Sequence, residues 1–146
     1  MASLEDALTS PEKKEVVIDD CMQILDQEVA DKKGLSGIAI KTAFKAVKGI
    51  GKGFIRGVVS DLVPEFAVAL DPIYQEALAE EKPVRAHFQA NSGRVADSLL
   101  AITDGKAERT SRSIIKKSYA KLRPQAKANV EAAVPRLGGL VEKHAV

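Results

Sequence analysis

Lys41, Lys45, Lys48 and Lys52 recur at intervals of four, three and four residues, and with Arg56 they occupy a stretch, residues 34–60, that holds no acid. On an unbroken helix such spacing makes a one-sided cationic row, which is what phosphate backbones and anionic lipid surfaces require. A second, denser cluster follows later in Lys106, Arg109, Arg112, Lys116, Lys117, Lys121, Arg123 and Lys127. These two blocks, 41–56 and 106–127, are the candidate binding surface, with Lys41, Lys45, Lys48, Lys52, Arg56, Arg112, Lys116, Lys117, Lys121 and Arg123 as its residues.

Other chemistries lack their parts. A phosphate-binding loop needs Gly-x-x-x-x-Gly-Lys-Ser/Thr, whereas Gly51 and Lys52 are followed by Gly53, and position 46 is alanine. The dinucleotide fingerprint that starts at Gly49 and Gly51 ends on Phe54. His87 and His144 are the sole imidazoles and Cys21 the sole thiol, with no ligand spacing between them, so neither a metal nor any other cofactor is expected. No Gly-x-Ser-x-Gly elbow occurs, and Ser36 reads as a helix cap. Cys21 falls in an apolar stripe, where a thiol behaves as a small hydrophobe. Asp19 and Asp20, like Glu80 and Glu81, are sequence neighbours and point about 100° apart on a helix, as solvated faces do. No catalytic residue is nominated.

The elements that must carry these side chains are helical. Ser3 with Glu5 and Asp6 starts a brief helix through Leu8, and Ser10-Pro11 starts a better one that runs to about Lys32. Its buried stripe is Val17, Ile18, Cys21, Ile24, Leu25 and Val29. Ser36 caps a helix to about Lys48; Gly49, Gly51 and Gly53 then break the chain, since each glycine costs a helix roughly 1 kcal/mol. A helix from Phe54 to about Val63 meets Pro64, which marks a kink or a restart, and Asp71-Pro72 opens the next, to about Glu81. Pro83 begins a segment to Thr103 that either persists through or splits at Asn91, Ser92 and Gly93. Asp104-Gly105 ends it, residues 106–111 read as a loop, and Ile114 to Leu122 form a short helix up to Arg123-Pro124. Residues 125–134 are helical, Pro135 kinks or restarts them, and the turns from Leu140 to His144 are expected to fray. Sustained two-residue alternation is absent, so strands are not expected.

The totals set the frame. At 146 residues the chain suits one domain, and its 45% hydrophobic and 29% charged residues are those of a globular protein. The fold expected is all-α, a compact single-domain bundle of six to eight helices, several kinked or restarted at prolines, with Phe44, Phe54, Phe66, Phe88, Tyr74 and Tyr119 in the core. No apolar run reaches the ~20 residues of a membrane span and no signal sequence opens the chain, so a cytoplasmic location is the expectation. Formal net charge is only +2, yet residues 1–33 carry four bases against nine acids, and residues 61–104 three against eight. Acidic and basic blocks therefore alternate, and their pairing across the bundle competes with any binding role.

The stretches SLEDALTSPEK at 3–13, GLSG at 34–37, VPEF at 63–66, LDPIY at 70–74, RVADSLL at 94–100 and KLRP at 121–124 resemble a family of small uncharacterised all-helical bacterial proteins. The likeness spans most of the chain. It implies a stand-alone bacterial domain and carries over no activity, cofactor or partner.

Three functions remain open. The leading expectation is a non-catalytic module whose charge-segregated surface engages another protein or a second copy of itself. Electrostatic binding of nucleic acid or an anionic membrane through the basic blocks is the alternative. A small-ligand carrier or enzyme with an inter-helix pocket is the third, and a large apolar cavity with convergent polar groups is its distinguishing sign.

Overall fold

A computed structural model describes residues 3–146, and its described residues form seven helices without a strand. They are α1 (Leu4–Thr9), α2 (Lys14–Asp31), α3 (Gly34–Lys48), α4 (Phe54–Ala79), α5 (Val84–Ala90), α6 (Ser92–Arg109) and α7 (Ser113–Ala145). No helix is long and apolar enough to cross a membrane.

The short helix at the start is real and its cap is the expected one: Ser3 Oγ accepts from the Asp6 amide at 3.1 Å. A second partner comes from far away in sequence. The Leu4 amide donates to Asp71 Oδ1 at 2.8 Å, so Asp71 satisfies the first turn of α1 instead of opening a helix of its own. With Leu4 and Leu8 buried, α1 is pinned onto α4.

Four of the six prolines lie inside helices. α4 runs through Pro64 and Pro72, and α7 through Pro124 and Pro135, so no new helix opens at Asp71-Pro72 and none ends at Arg123-Pro124, contrary to the expectation at those two places. Each proline removes a backbone donor, but packing of the surrounding turns offsets that loss. In α4 the packing comes from Val63, Ala67, Leu70, Tyr74 and Ala77, which recur every three or four residues and are buried. Pro83 stands just ahead of α5, as expected, and glycine marks the break between α3 and α4, where Gly53 stands before α4 with φ +83°. The split at residue 91 also occurs, whereas α6 continues through Asp104 and Gly105 to Arg109. α3 starts at Gly34, ahead of the expected cap at Ser36.

One end of the bundle is solidly filled. α1, α4, α5, α6 and the C-terminal half of α7 bury Leu4, Leu70, Ile73, Phe88, Val95, Leu99 and Val134 against one another. Gly138 lets α7 approach α5: a Cβ there would lie 2.8 Å from the Arg85 Cα. The end of α7 is clamped and not frayed. His144 is buried and its Nε2 lies 2.6 Å from Asp20, Tyr74 donates to the Ala145 carbonyl at 2.9 Å, and Lys13 donates to the His144 carbonyl. Arg136 adds Asp31 at 2.6 Å and a bond to Glu28.

Candidate functional site

The opposite end is hollow. A cavity of about 450 Å³, partly open to solvent, lies among α2, α3, α4, α6 and α7. Leu25 and Val29 reach it from α2; Ile40, Ala43, Phe44 and Val47 from α3; Phe54, Ile55, Val58 and Leu62 from α4. The start of α7 adds Ile115, Tyr119 and Leu122. These side chains have the helical spacing of core residues, but most are only half-buried because they face a void. Phe44, Phe54 and Tyr119, expected in the packed core, belong to this lining; Phe88 and Tyr74 are in the core as expected.

A few polar groups converge on the same space: Asp61, Thr103, Lys106, Thr110, Ser118 and Tyr119. Tyr119 is fixed at its tip, with its hydroxyl 2.8 Å from Thr103 Oγ1 and donating to Asp104. Burial, then the Asp104 carboxylate, pushes the Tyr119 phenol up, so it stays protonated near neutrality. Asp104 is held below the usual carboxylate range by Arg123, which donates from Nε at 2.8 Å, and then by Tyr119. Lys106 is half-buried in the lining and paired with Glu65 at 2.8 Å.

The ten candidate cations from the two basic blocks divide into three groups. Arg56 is taken up by Asp19 at 2.7 Å and Glu15 at 2.9 Å, and Arg123 by Asp104, so acidic neighbours compensate both. Lys48 and Arg112 stack on aromatic rings: Lys48 Nζ lies 4.6 Å from the centroid of Phe44, and Arg112 Cζ 4.9 Å from that of Phe54. Both rings line the cavity, so each block, though distant in sequence from the other, sends one cation onto a ring of the same wall. Lys41, Lys45, Lys52, Lys116, Lys117 and Lys121 are exposed and make no ion pair among the described residues.

Two polar clusters lie elsewhere. Glu76, Glu80 and His87 offer three ligand atoms within 4.8 Å of one another, a set that could hold a metal and that sequence spacing does not reveal. Its charge is already met: Arg94 donates to both Glu76 oxygens at 2.9 Å, buried His87 lies 3.0 Å from Glu76, and Lys82 pairs with Glu80. Cys21 packs beside the core with its thiol pushed up to about 11 by burial and then by Asp20, which keeps it in the thiol form near neutral pH.

The hollow left no mark in the sequence, because helical periodicity records which face is apolar and not what that face meets. Comparison with curated proteins and with solved structures finds no match in either. A family model matches over residues 4–145, and the chain belongs to that family of unknown function, DUF6918.

Proposed function

We propose that the protein is a non-catalytic carrier that holds a small, largely apolar molecule in the cavity between α2, α3, α4, α6 and α7. The observation behind this reading is the cavity itself: about 450 Å³ of space with an aliphatic and aromatic wall and a few hydroxyls. Sites for small ligands have this size and this mixture, in the range of roughly 300–1,000 Å³. The one lining hydroxyl seen donating to a carboxylate, Tyr119 to Asp104, meets an acid that lies outside the wall and is already paired with Arg123, which favours holding a ligand over transforming it. The neutral solvatochromic dye Nile red tests the reading, with one-to-one binding and a blue-shifted emission as the expected result. Ala43→Phe, which puts a ring into the void, should abolish that binding while the fold is retained by circular dichroism. Absence of dye binding by the wild-type protein, or unchanged binding by the filled variant, overturns the reading.

The outer face of α3 favours a second reading, docking on an anionic bilayer. Leu35 and Ile38 are 87% and 64% exposed, and Lys41 and Lys45 share their side of the helix. Co-flotation with anionic vesicles should fall steeply as salt rises and should be lost in Lys41→Glu/Lys45→Glu. No flotation at about 50 mM salt ends this reading. Engagement of another protein through the whole basic surface has less support, because Arg56 and Arg123 already face carboxylates.

A further inference from the structure

We propose that the cavity's ligand is a single-chain anionic amphiphile, an alkyl chain ending in a carboxylate or similar small oxyanion. The chain would lie in the cavity and the head group against Lys48 and Arg112. This rests on the carrier reading and adds the chemical class of what is carried.

Charge supplies the argument. Phe44 and Phe54 each face the cavity, and each supports an exposed cation, Lys48 at 4.6 Å and Arg112 at 4.9 Å from the ring centroids. Neither cation has a carboxylate partner among the described residues, so both keep their charge uncompensated beside rings that line the void. Seating on a ring also limits the conformations of each long side chain, which reduces the entropy lost when an anion is bound. Other charges near the space are few. Lys106 is neutralised by Glu65 at 2.8 Å, and Asp61 is the one acid in the lining. Lys45, Lys52 and Lys116 stand within one helical turn or a short loop of the stacked pair and raise the local potential further. An apolar interior with two uncompensated cations stacked on its wall rings is complementary to a molecule with one apolar body and one anionic end. A neutral hydrocarbon would leave the two cations unused, and a cationic amphiphile would be repelled by them.

The test compares three probes with the same chain, dodecanoate, dodecanol and dodecylammonium, each below its micelle-forming concentration, by displacement of Nile red from the full-length protein. Dodecanoate should bind most tightly and dodecylammonium least. Across shorter alkanoates each added methylene should strengthen binding about fourfold until the cavity is full. Lys48→Glu and Arg112→Glu should each weaken dodecanoate by roughly two- to fivefold, and leave dodecanol unchanged. Asp61→Asn should strengthen dodecanoate alone. Equal binding of dodecanoate and dodecanol, with neither moved by the charge reversals, overturns the anionic class and leaves the carrier reading standing. Preference for dodecylammonium, or for dodecanoate with no response to either reversal, also overturns it. Failure of all three probes to displace the dye removes the alkyl amphiphile as ligand, whereas failure of the dye itself to bind removes the carrier reading.

Discussion

Arg112, the residue just ahead of α7, rests 4.9 Å from the ring centroid of Phe54, the first residue of α4. This contact joins two helix starts 58 positions apart through a ring that also lines the cavity. A double-mutant cycle on Arg112→Ala and Phe54→Leu should give a coupling of about 0.5–1 kcal/mol, the range for an exposed cation–π pair. Additive losses in urea denaturation would mean that the contact carries no energy.

The two ends of the bundle should answer differently to the same truncation. Phe88 is fully buried in the core cluster, so Phe88→Ala should cost about 3–5 kcal/mol. Phe44 already borders empty space, and Phe44→Ala removes fewer contacts; its loss should be less than half as large. Denaturant midpoints of the two variants, at unchanged slope, give the comparison.

Adjacent glycines in α7 form a second contrasting pair. A methyl at Gly138 would sit 2.8 Å from the Arg85 Cα, a backbone atom that yields only if α5 moves away. Gly138→Ala should therefore destabilise by roughly 1–3 kcal/mol. At Gly139 the nearest neighbour is the Arg85 guanidinium at 3.6 Å, an ordinary contact with a flexible tip. Gly139→Ala should instead raise stability by up to about 1 kcal/mol through helix propensity.

Glu76 makes the response to acid specific. Arg94, donating to both oxygens, and then His87 hold its carboxyl down to about 2, from an ordinary 4.5. A carboxyl lowered on folding binds fewer protons in the native state, so its contribution is complete above the ordinary value and fades as pH falls towards the native one. The gap in melting temperature between the wild type and Glu76→Gln should be constant at neutral pH and should narrow between pH 4.5 and pH 2. A gap that widens on acidification would reverse the assigned sign.

Cys21 should be nearly inert while the protein is folded. Burial raises its thiol from 9.0 to about 11, which lowers the thiolate fraction by about 100-fold at a given pH. Ellman's reagent at mildly alkaline pH should react slowly with native protein and rapidly in urea. Fast labelling of the native state would place the thiol in solvent.

Much of this protein was legible without coordinates. The apolar period of three and four residues, the Ser3 cap and the glycines at 49–53 are local properties of the chain, and they correctly indicate helices and the break between α3 and α4. Pro72 and Pro124 misled, since a proline's cost is local whereas the packing that offsets it in α4 and α7 comes from other helices.

What only the tertiary structure decided is which surfaces meet. Val63 and Leu62 are sequence neighbours with the same chemistry, yet one packs into the core and the other lines a void. Arg56 and Arg112 carry the same charge, yet one is bound by two carboxylates and the other lies free on a ring. Sequence determines a side chain's character and its side of a helix, because both follow from covalent structure and local backbone geometry. What stands opposite depends on where helices distant in the chain come to rest, and that is set by the packing of the whole bundle.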